Sequence, residues 1–356
     1  MLYSTPRLFR YEGLLRELTD LHARLTSFTF EPRPWIPRFR RRAHTAGARS
    51  SALLEGYRVD PSVAQAISEG RAPAATRAER AVAGCALAMQ HVALLADDPS
   101  FRWSARLLLD LHFESCSSEP RARPGRWRTG PVWMTSPEGG AAYQAPPADD
   151  VPALMEELVS WLAADPPNQP VVVRAAMAHL HVLAIHPFAD ANGRLARIVQ
   201  SLVLARGHSL DPGLGTVEER FARDPGRYYA VLRDVLGGRF TPEGRADPWL
   251  TFCLEAHLVQ AREQLALLDA AAHRWAALTS LVGARGLPDR LAFALEQSLD
   301  EGVDRSSYAA ATQVASATAS TDLRRVLDAG LVVRVGRARH TRYLASDGLR
   351  AVVEPS

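Results

Sequence analysis

Apolar residues recur along most of this chain at the three-to-four-residue spacing of helices that bury one face. The spacing predicts helices over about residues 8–25, 74–96, 103–113 and 151–164. Residues 171–185 are apolar almost throughout, which reads as a helix buried on every side, with Pro170 at a helix start where proline is tolerated. Another helix is expected over 194–206. Between the first two helices lie a proline-rich break at 31–37 and a basic run, Arg38, Arg40, Arg41 and Arg42, read as solvated surface. A short apolar helical turn, Ser51-Ala-Leu-Leu-Glu55-Gly56, follows and stops at its glycine.

The pattern changes twice more. Residues 121–148 are rich in Pro and Gly but include Val132-Trp133-Met134 and Tyr143, which suit a short hairpin or flap. After a break near 285–288, helices (308–314 and 320–328 among them) lead to two short strands, 331–335 and 340–344, joined at Gly336-Arg337. That order reads as a winged helix. Its wing carries Arg334, Arg337, Arg339, His340 and Arg342, which suits either a nucleic-acid backbone or docking to another protein chain. The division expected is 1–100, an N-terminal helical region; 101–284, a catalytic core; and 285–356, the winged-helix module.

Composition narrows the class. Forty-two basic residues, all arginine, against 39 acidic ones give a net charge of +3, too little to demand a nucleic-acid partner. A GC-rich genome would also inflate arginine, so single arginines carry little weight. Cys85, Cys116 and Cys253 are scattered and form no CxxC pair, which argues against a zinc ribbon or a disulfide framework. No long uncharged apolar run suggests a membrane span, and the expected location is cytoplasmic.

The chemistry concentrates in His186-Pro-Phe-Ala-Asp190-Ala-Asn-Gly-Arg194-Leu-Ala-Arg197. Pro187 biases His186 away from helical dihedrals, so the preceding helix should end there and present the imidazole at the mouth of a pocket. Phe188 can anchor the loop. Asn192 suits an N-cap, and Gly193 lets a ligand approach the backbone. Free N–H groups at a helix start, with Arg194 and Arg197 three residues apart, suit a polyphosphate. Asp190 beside such a site calls for an intervening cation, and Mg²⁺ fits. Base, metal ligand, backbone donors and arginines together match phosphoryl or nucleotidyl transfer. A corner between two helices with incidental charges, or zinc held by His179, His181 and His186, are the competing readings.

This stretch resembles the Fic family signature, HPFx[D/E]GNGRxxR, departing from it at Ala191, where glycine is usual. The departure matters if the position needs a positive φ. The resemblance implies that His186 is a general base acting on a hydroxyl of a target protein, whose oxygen attacks the α-phosphate of ATP. It implies nucleotide contacts from Ala191, Asn192, Gly193, Arg194 and Arg197, Mg²⁺ on Asp190, and an aromatic contact to the base from Tyr229. Gly193, where related phosphotransferases carry lysine, favours AMP transfer.

Ser51-x-x-x-Glu55-Gly56 is similar to the family's inhibitory motif, [S/T]xxxE[G/N]. The resemblance implies that Glu55 reaches Arg197 and denies it to the γ-phosphate. Gly125-Arg126-Trp127-Arg128, Tyr143-x-x-Pro146-Pro147 and Trp161 continue the likeness around a flap that would add a target strand. The expectation is a mainly α fold, with a Fic-type helical core, a short β-hairpin flap and a C-terminal winged helix. The expected activity is ATP-dependent protein adenylyltransfer restrained by Glu55, on a Ser, Thr or Tyr hydroxyl, with homodimerisation left open. The alternatives are a DNA-binding or antitoxin-like regulator that only senses nucleotide, or transfer of UMP or phosphocholine.

Overall fold

A computed structural model describes residues 2–28, 33–135, 141–164, 166, 169–208, 211, 217–300, 302–337 and 341–353. The described residues form fifteen α-helices and two antiparallel hairpins. The helices are α1 (Glu12–Ser27), α2 (Ile36–Leu54), α3 (Pro61–Ser68), α4 (Arg77–Ala96), α5 (Ala105–Cys116), α6 (Val151–Ala163), α7 (Val171–Ile185) and α8 (Asn192–Arg206), then α9 (Glu218–Arg223), α10 (Pro225–Leu236), α11 (Asp247–Ala284), α12 (Leu291–Ser298), α13 (Arg305–Thr312), α14 (Ser316–Asp328) and α15 (Asp347–Val353). The strands are β1 (Trp133–Thr135), β2 (Ala141–Gln144), β3 (Val332–Val335) and β4 (Arg342–Ala345). No helix is long and apolar enough to cross a membrane among the described residues.

The chain divides into two compact units, Met1–Phe30 with Arg38–Leu265, and Glu31–Pro37 with Ala266–Ser356. In the first, α7 is the central element. Every residue from Val172 to Ile185 is buried, as its almost wholly apolar run requires, and Arg174, His179 and His181 are buried with it. It packs chiefly on α8, which also meets α4 and α5. In the second unit Leu295, Tyr308, Leu323, Val326 and Leu349 share one core. There Asp304 caps α13 in a capping box, and β3 pairs with β4 from Val332↔Ala345 to Val335↔Arg342. Arg339 and His340 of the expected wing lie outside the described residues.

Two local expectations need correction. The basic run and the short turn before Gly56 are not separate, and the helix already begins at the end of the proline-rich break: Ile36–Leu54 is one helix. Arginine is a good helix former, Pro37 falls in the tolerated first turn, and Ala43, Ala48 and Ala52 give the helix a buried stripe. His186 leaves the helix as expected, and does so in the left-handed region (φ 50°, ψ 58°). Asn192 is the first helical residue and not the cap; the cap position is Ala191, at φ 60°.

Candidate functional site

The loop between α7 and α8 is held from below by aromatic stacking and from within by one amide. The Phe188 ring is fully buried, stacked on His112 at 3.5 Å between centroids and flanked by Trp127 at 4.8 Å. The Gly125 N–H donates to His112 Nδ1 at 3.0 Å, so the His112 proton sits on Nε2 and donates to the Asp190 carbonyl at 3.1 Å. Asn192 Oδ1 accepts from the Phe188 N–H, and its Nδ2 donates to the Phe188 carbonyl, both at 2.9 Å. The amide therefore closes the loop on itself, and what Asn192 leaves for a ligand is its backbone N–H.

His186 is aimed by its neighbours. Its Nδ1 donates to the Leu183 carbonyl at 3.3 Å, which leaves the Nε2 lone pair for a proton. Arg128 fixes the unusual backbone: its Nε donates to the His186 carbonyl at 2.8 Å, and its N–H to the Pro187 carbonyl at 2.9 Å. These bonds offset the dihedral preference of the pre-proline position. Burial pushes the His186 pKa down to about 4, reinforced by the Arg128 charge and opposed by the Leu183 bond and Asp190. The imidazole is neutral near pH 7, the state a general base requires.

The start of α8 is an anion cradle. The N–H groups of residues 192–194 have no acceptor within the helix, and Arg194 and Arg197 rise from the first turn, both buried. Arg194 Nη2 has no hydrogen-bond partner among the described residues. A Cβ on Gly193 would lie 3.1 Å from Arg197 Nη1 and 3.3 Å from Glu55 Oε1, so its hydrogen keeps this wall open.

Glu55 occupies that wall. Its Oε1 accepts from Arg197 Nη2 at 3.0 Å, and its Oε2 lies 2.7 Å from Arg194 Nε, a charge contact not aligned as a hydrogen bond. Thus both arginines, not Arg197 alone, meet the carboxylate. Ser51 Oγ accepts from Arg197 Nε at 2.8 Å, and its carbonyl accepts from Nη2 at 3.0 Å. Gly56, at φ 86°, ends α2 as expected. A carboxylate just past a helix C-terminus opposes the helix dipole, and two guanidiniums compensate it here. The Tyr229 hydroxyl donates to the Leu54 carbonyl, immediately before Glu55, while the residue as a whole stays 39% exposed.

Asp190 is exposed, and its Oδ1 accepts from the Ala191 N–H at 2.7 Å. No group of three or more His, Cys, Asp or Glu side chains that could hold a metal ion occurs among the described residues. A single carboxylate suits Mg²⁺ arriving with a polyphosphate and keeping several waters. His179 and His181 are core residues: His179 bridges Gln200 (2.6 Å) and Tyr228 (3.1 Å), and His181 lies 3.2 Å from the Tyr3 carbonyl.

Beside the loop, β1 and β2 pair with Trp133 opposite Gln144 and Met134 opposite Tyr143. On the other side of β2, the Gln144 N–H donates to the Gly238 carbonyl and its own carbonyl accepts from the Phe240 N–H. The Tyr143 hydroxyl donates to the Ala184 carbonyl, and Arg128 Nη2 to that of Pro146, which ties the hairpin to the end of α7. The hairpin tip, 136–140, lies outside the described residues.

Sequence reasoning missed two residues here. Glu119 Oε1 accepts from Arg194 Nη1 at 2.6 Å, while its Oε2 accepts from Arg77 and Tyr57 at 3.3 Å each. His112 carries the loop. Neither sits in a recognisable motif, and only the packing of α4 and α5 onto α8 brings them in.

The profile of the Fic/DOC family matches residues 102–204. Ser51, Glu55 and Tyr229 lie outside that stretch. Over 137 residues the chain is 28% identical to a Protein adenylyltransferase Fic of Nematostella vectensis, covering 38% of this chain and 29% of that protein. Over 141 residues it is 28% identical to the Protein adenylyltransferase fic-1 of Caenorhabditis elegans, covering 38% and 24%. The chain thus spans less than a third of the length of these curated relatives. Its fold is similar to a crystal structure of a Fic family protein from Desulfovibrio desulfuricans G20, with TM-score 0.63 and 21% identity over 98% of both chains. It is also similar to Fic-1 from C. elegans, with TM-score 0.57 and 20% identity over 72% and 71%.

Proposed function

We propose, from the premise that this chain belongs to the Fic/DOC family through residues 102–204, that it is an ATP-dependent protein adenylyltransferase restrained by Glu55. The observation that carries the reading is the Glu55 carboxylate bridging Arg194 and Arg197 at the start of α8, beside a neutral His186. Two guanidiniums that gather one carboxylate can gather phosphate oxygens in its place.

In this reading the triphosphate lies over the N–H groups of Asn192, Gly193 and Arg194, and Arg197 takes the γ-phosphate. Ala191 shapes the turn beneath it, and the Tyr229 ring meets the base. Asp190 would hold Mg²⁺, which supplies charge neutralisation along the polyphosphate. His186 Nε2 takes the proton of a Ser, Thr or Tyr hydroxyl on the target. That oxygen forms a bond to the α-phosphorus as the bond to the bridging oxygen breaks, and pyrophosphate leaves. The β1–β2 hairpin presents the target segment by strand addition. The second unit serves as a winged-helix-like module whose exposed Arg334 and Arg337 face a nucleic-acid backbone or another protein.

The test is incubation with α-labelled ATP of wild type, Glu55→Gly and His186→Ala. Label should pass to protein faintly with wild type, strongly with Glu55→Gly, and not at all once His186 is removed. No transfer with any variant, alongside salt-dependent DNA binding, would overturn the enzyme reading in favour of a regulator.

A further inference from the structure

Arg197 has two sets of partners. Its hydrogen bonds to Ser51 and Glu55 come from the last turn of α2 and the residue after it, the side of the restraint. The other partner is Tyr228 of α10, a buried residue whose ring packs against Phe221 and Trp249. Burial raises the Tyr228 pKa, while the Arg197 charge and a hydrogen bond with Arg197 oppose the rise. Glu218 is buried and feels the same charge. It meets Ser201 at 3.4 Å, and its Oε2 has no hydrogen-bond partner among the described residues, so it does not hold Arg197.

A guanidinium carries donors and no acceptor, so Arg197 can only donate to the Tyr228 oxygen. The Tyr228 proton must go elsewhere, and the acceptor within reach is His179 Nε2 at 3.1 Å. That places the His179 proton on Nδ1, which donates to Gln200 Oε1 at 2.6 Å. Gln200 Nε2 then donates to His257 Nε2 at 2.9 Å. Every step takes its direction from Arg197. Burial pushes His179 and His257 down to about 3, so both rings stay neutral and can accept. The chain draws on α7, α8, α10 and α11 and includes no residue of α2.

We propose that Tyr228 is a positioning residue for the γ-phosphate contact, with His179, Gln200 and His257 fixing the direction of its hydroxyl. This role presupposes the proposed reaction, in which Arg197 takes the γ-phosphate. When Glu55 yields to the triphosphate, Arg197 loses a partner on the α2 side and keeps the one supplied by the core. Its guanidinium is then already aimed, and a nucleotide with a γ-phosphate gains over one without it.

The test compares ATP with ADP by calorimetric titration of the full chain carrying Glu55→Gly and His186→Ala, so that nucleotide binds without being consumed. This parent should bind ATP more tightly than ADP. Adding Tyr228→Phe should weaken ATP binding about tenfold, the equivalent of one hydrogen bond to a charged group, and leave ADP binding unchanged. His179→Leu strands the Tyr228 proton and should shift the ratio the same way, whereas His179→Gln, whose amide oxygen can take that proton, should restore it. Equal losses for ATP and ADP, as a merely structural role would give, overturn the positioning role, and so does an unchanged ratio. If Tyr228→Phe does not fold, the two His179 variants decide. A parent that binds ATP and ADP alike takes Arg197 off the γ-phosphate and overturns the proposed reaction together with this role. A parent that prefers ATP leaves that reaction standing whatever Tyr228 does.

Discussion

Arg194 donates from Nη1 to Glu119 Oε1 at 2.6 Å, with both side chains buried. Glu55 approaches the same guanidinium from the other side, at 2.7 Å from Nε. One buried cation therefore has two carboxylates. Glu55 can be withdrawn for a ligand without leaving Arg194 uncompensated, because Glu119 remains.

Replacing Glu119 by Gln should test that division. Burial works to raise the Glu119 pKa, but bonds from Arg194, Arg77 and Tyr57 and the Arg194 charge bring it below the ordinary value. The Gln oxygen can still accept from Arg194, so the single change should cost only about 1–3 kcal/mol in denaturant unfolding. Combined with Glu55→Gln, it strands a buried guanidinium, and the loss should exceed the sum of the two single losses. Simple additivity would show that the two carboxylates do not share Arg194.

The turn at 191–192 makes a second prediction. Ala191 sits at φ 60°, which costs a non-glycine residue about 1–2 kcal/mol. Glycine there relieves the strain, but it deletes a buried methyl worth about 0.8 kcal/mol and adds chain entropy to the unfolded state. Ala191→Gly should therefore be near neutral. Ala191→Val, β-branched at a left-handed position, should lose roughly 2 kcal/mol or more. Asn192→Ala should lose about 2–4 kcal/mol, because it strands both the N–H and the carbonyl of buried Phe188. Thermal melts of the three variants give the order directly.

These residues also show what could be read before the fold was in view. The run from Val171 to Ile185 was legible as a helix because a segment apolar almost throughout, and too long for a strand, is buried as a helix. The spacing of Arg194 and Arg197 placed both on one face, and both meet Glu55. The role of Asn192 was misassigned because a cap and a loop staple use the same amide, and only the position of Phe188 separates them. Glu119 and His112 were invisible: each acts on a loop more than 70 residues away, through packing that no local pattern encodes. Helix α2 was cut short because Pro and a run of Arg read as punctuation, whereas its buried alanine stripe decided the matter.

Tyr229 offers a test that separates two roles of one side chain. Its hydroxyl holds the Leu54 carbonyl, and the residue as a whole is partly exposed. Tyr229→Phe keeps the ring and removes the tether on the turn that carries Glu55. If the tether helps hold Glu55 on Arg194 and Arg197, AMP transfer should rise by about fivefold to tenfold, the equivalent of one hydrogen bond of roughly 1–1.4 kcal/mol. Tyr229→Ala should release the turn and also remove the ring, raising KM for ATP. Unchanged transfer by Tyr229→Phe would leave Glu55 held by its arginines alone.

The buried histidines set the response to acid. Burial drives His22, His112, His181 and His186 to about 4, and His179 and His257 to about 3, against an ordinary value near 6.5. Each stays neutral in the folded chain while its unfolded counterpart gains a proton below pH 6.5. The unfolded state therefore binds more protons, and stability falls as pH drops through the window from 6.5 towards 4. Each such proton contributes a slope of about 1.4 kcal/mol per pH unit. Chemical denaturation at pH 7.5, 6.5, 5.5 and 5.0 should show a loss of about 2 kcal/mol over the first step and a steeper loss thereafter. The slope at pH 5.5 should correspond to several protons. A flat profile down to pH 5 would mean that these imidazoles are not held neutral by their surroundings.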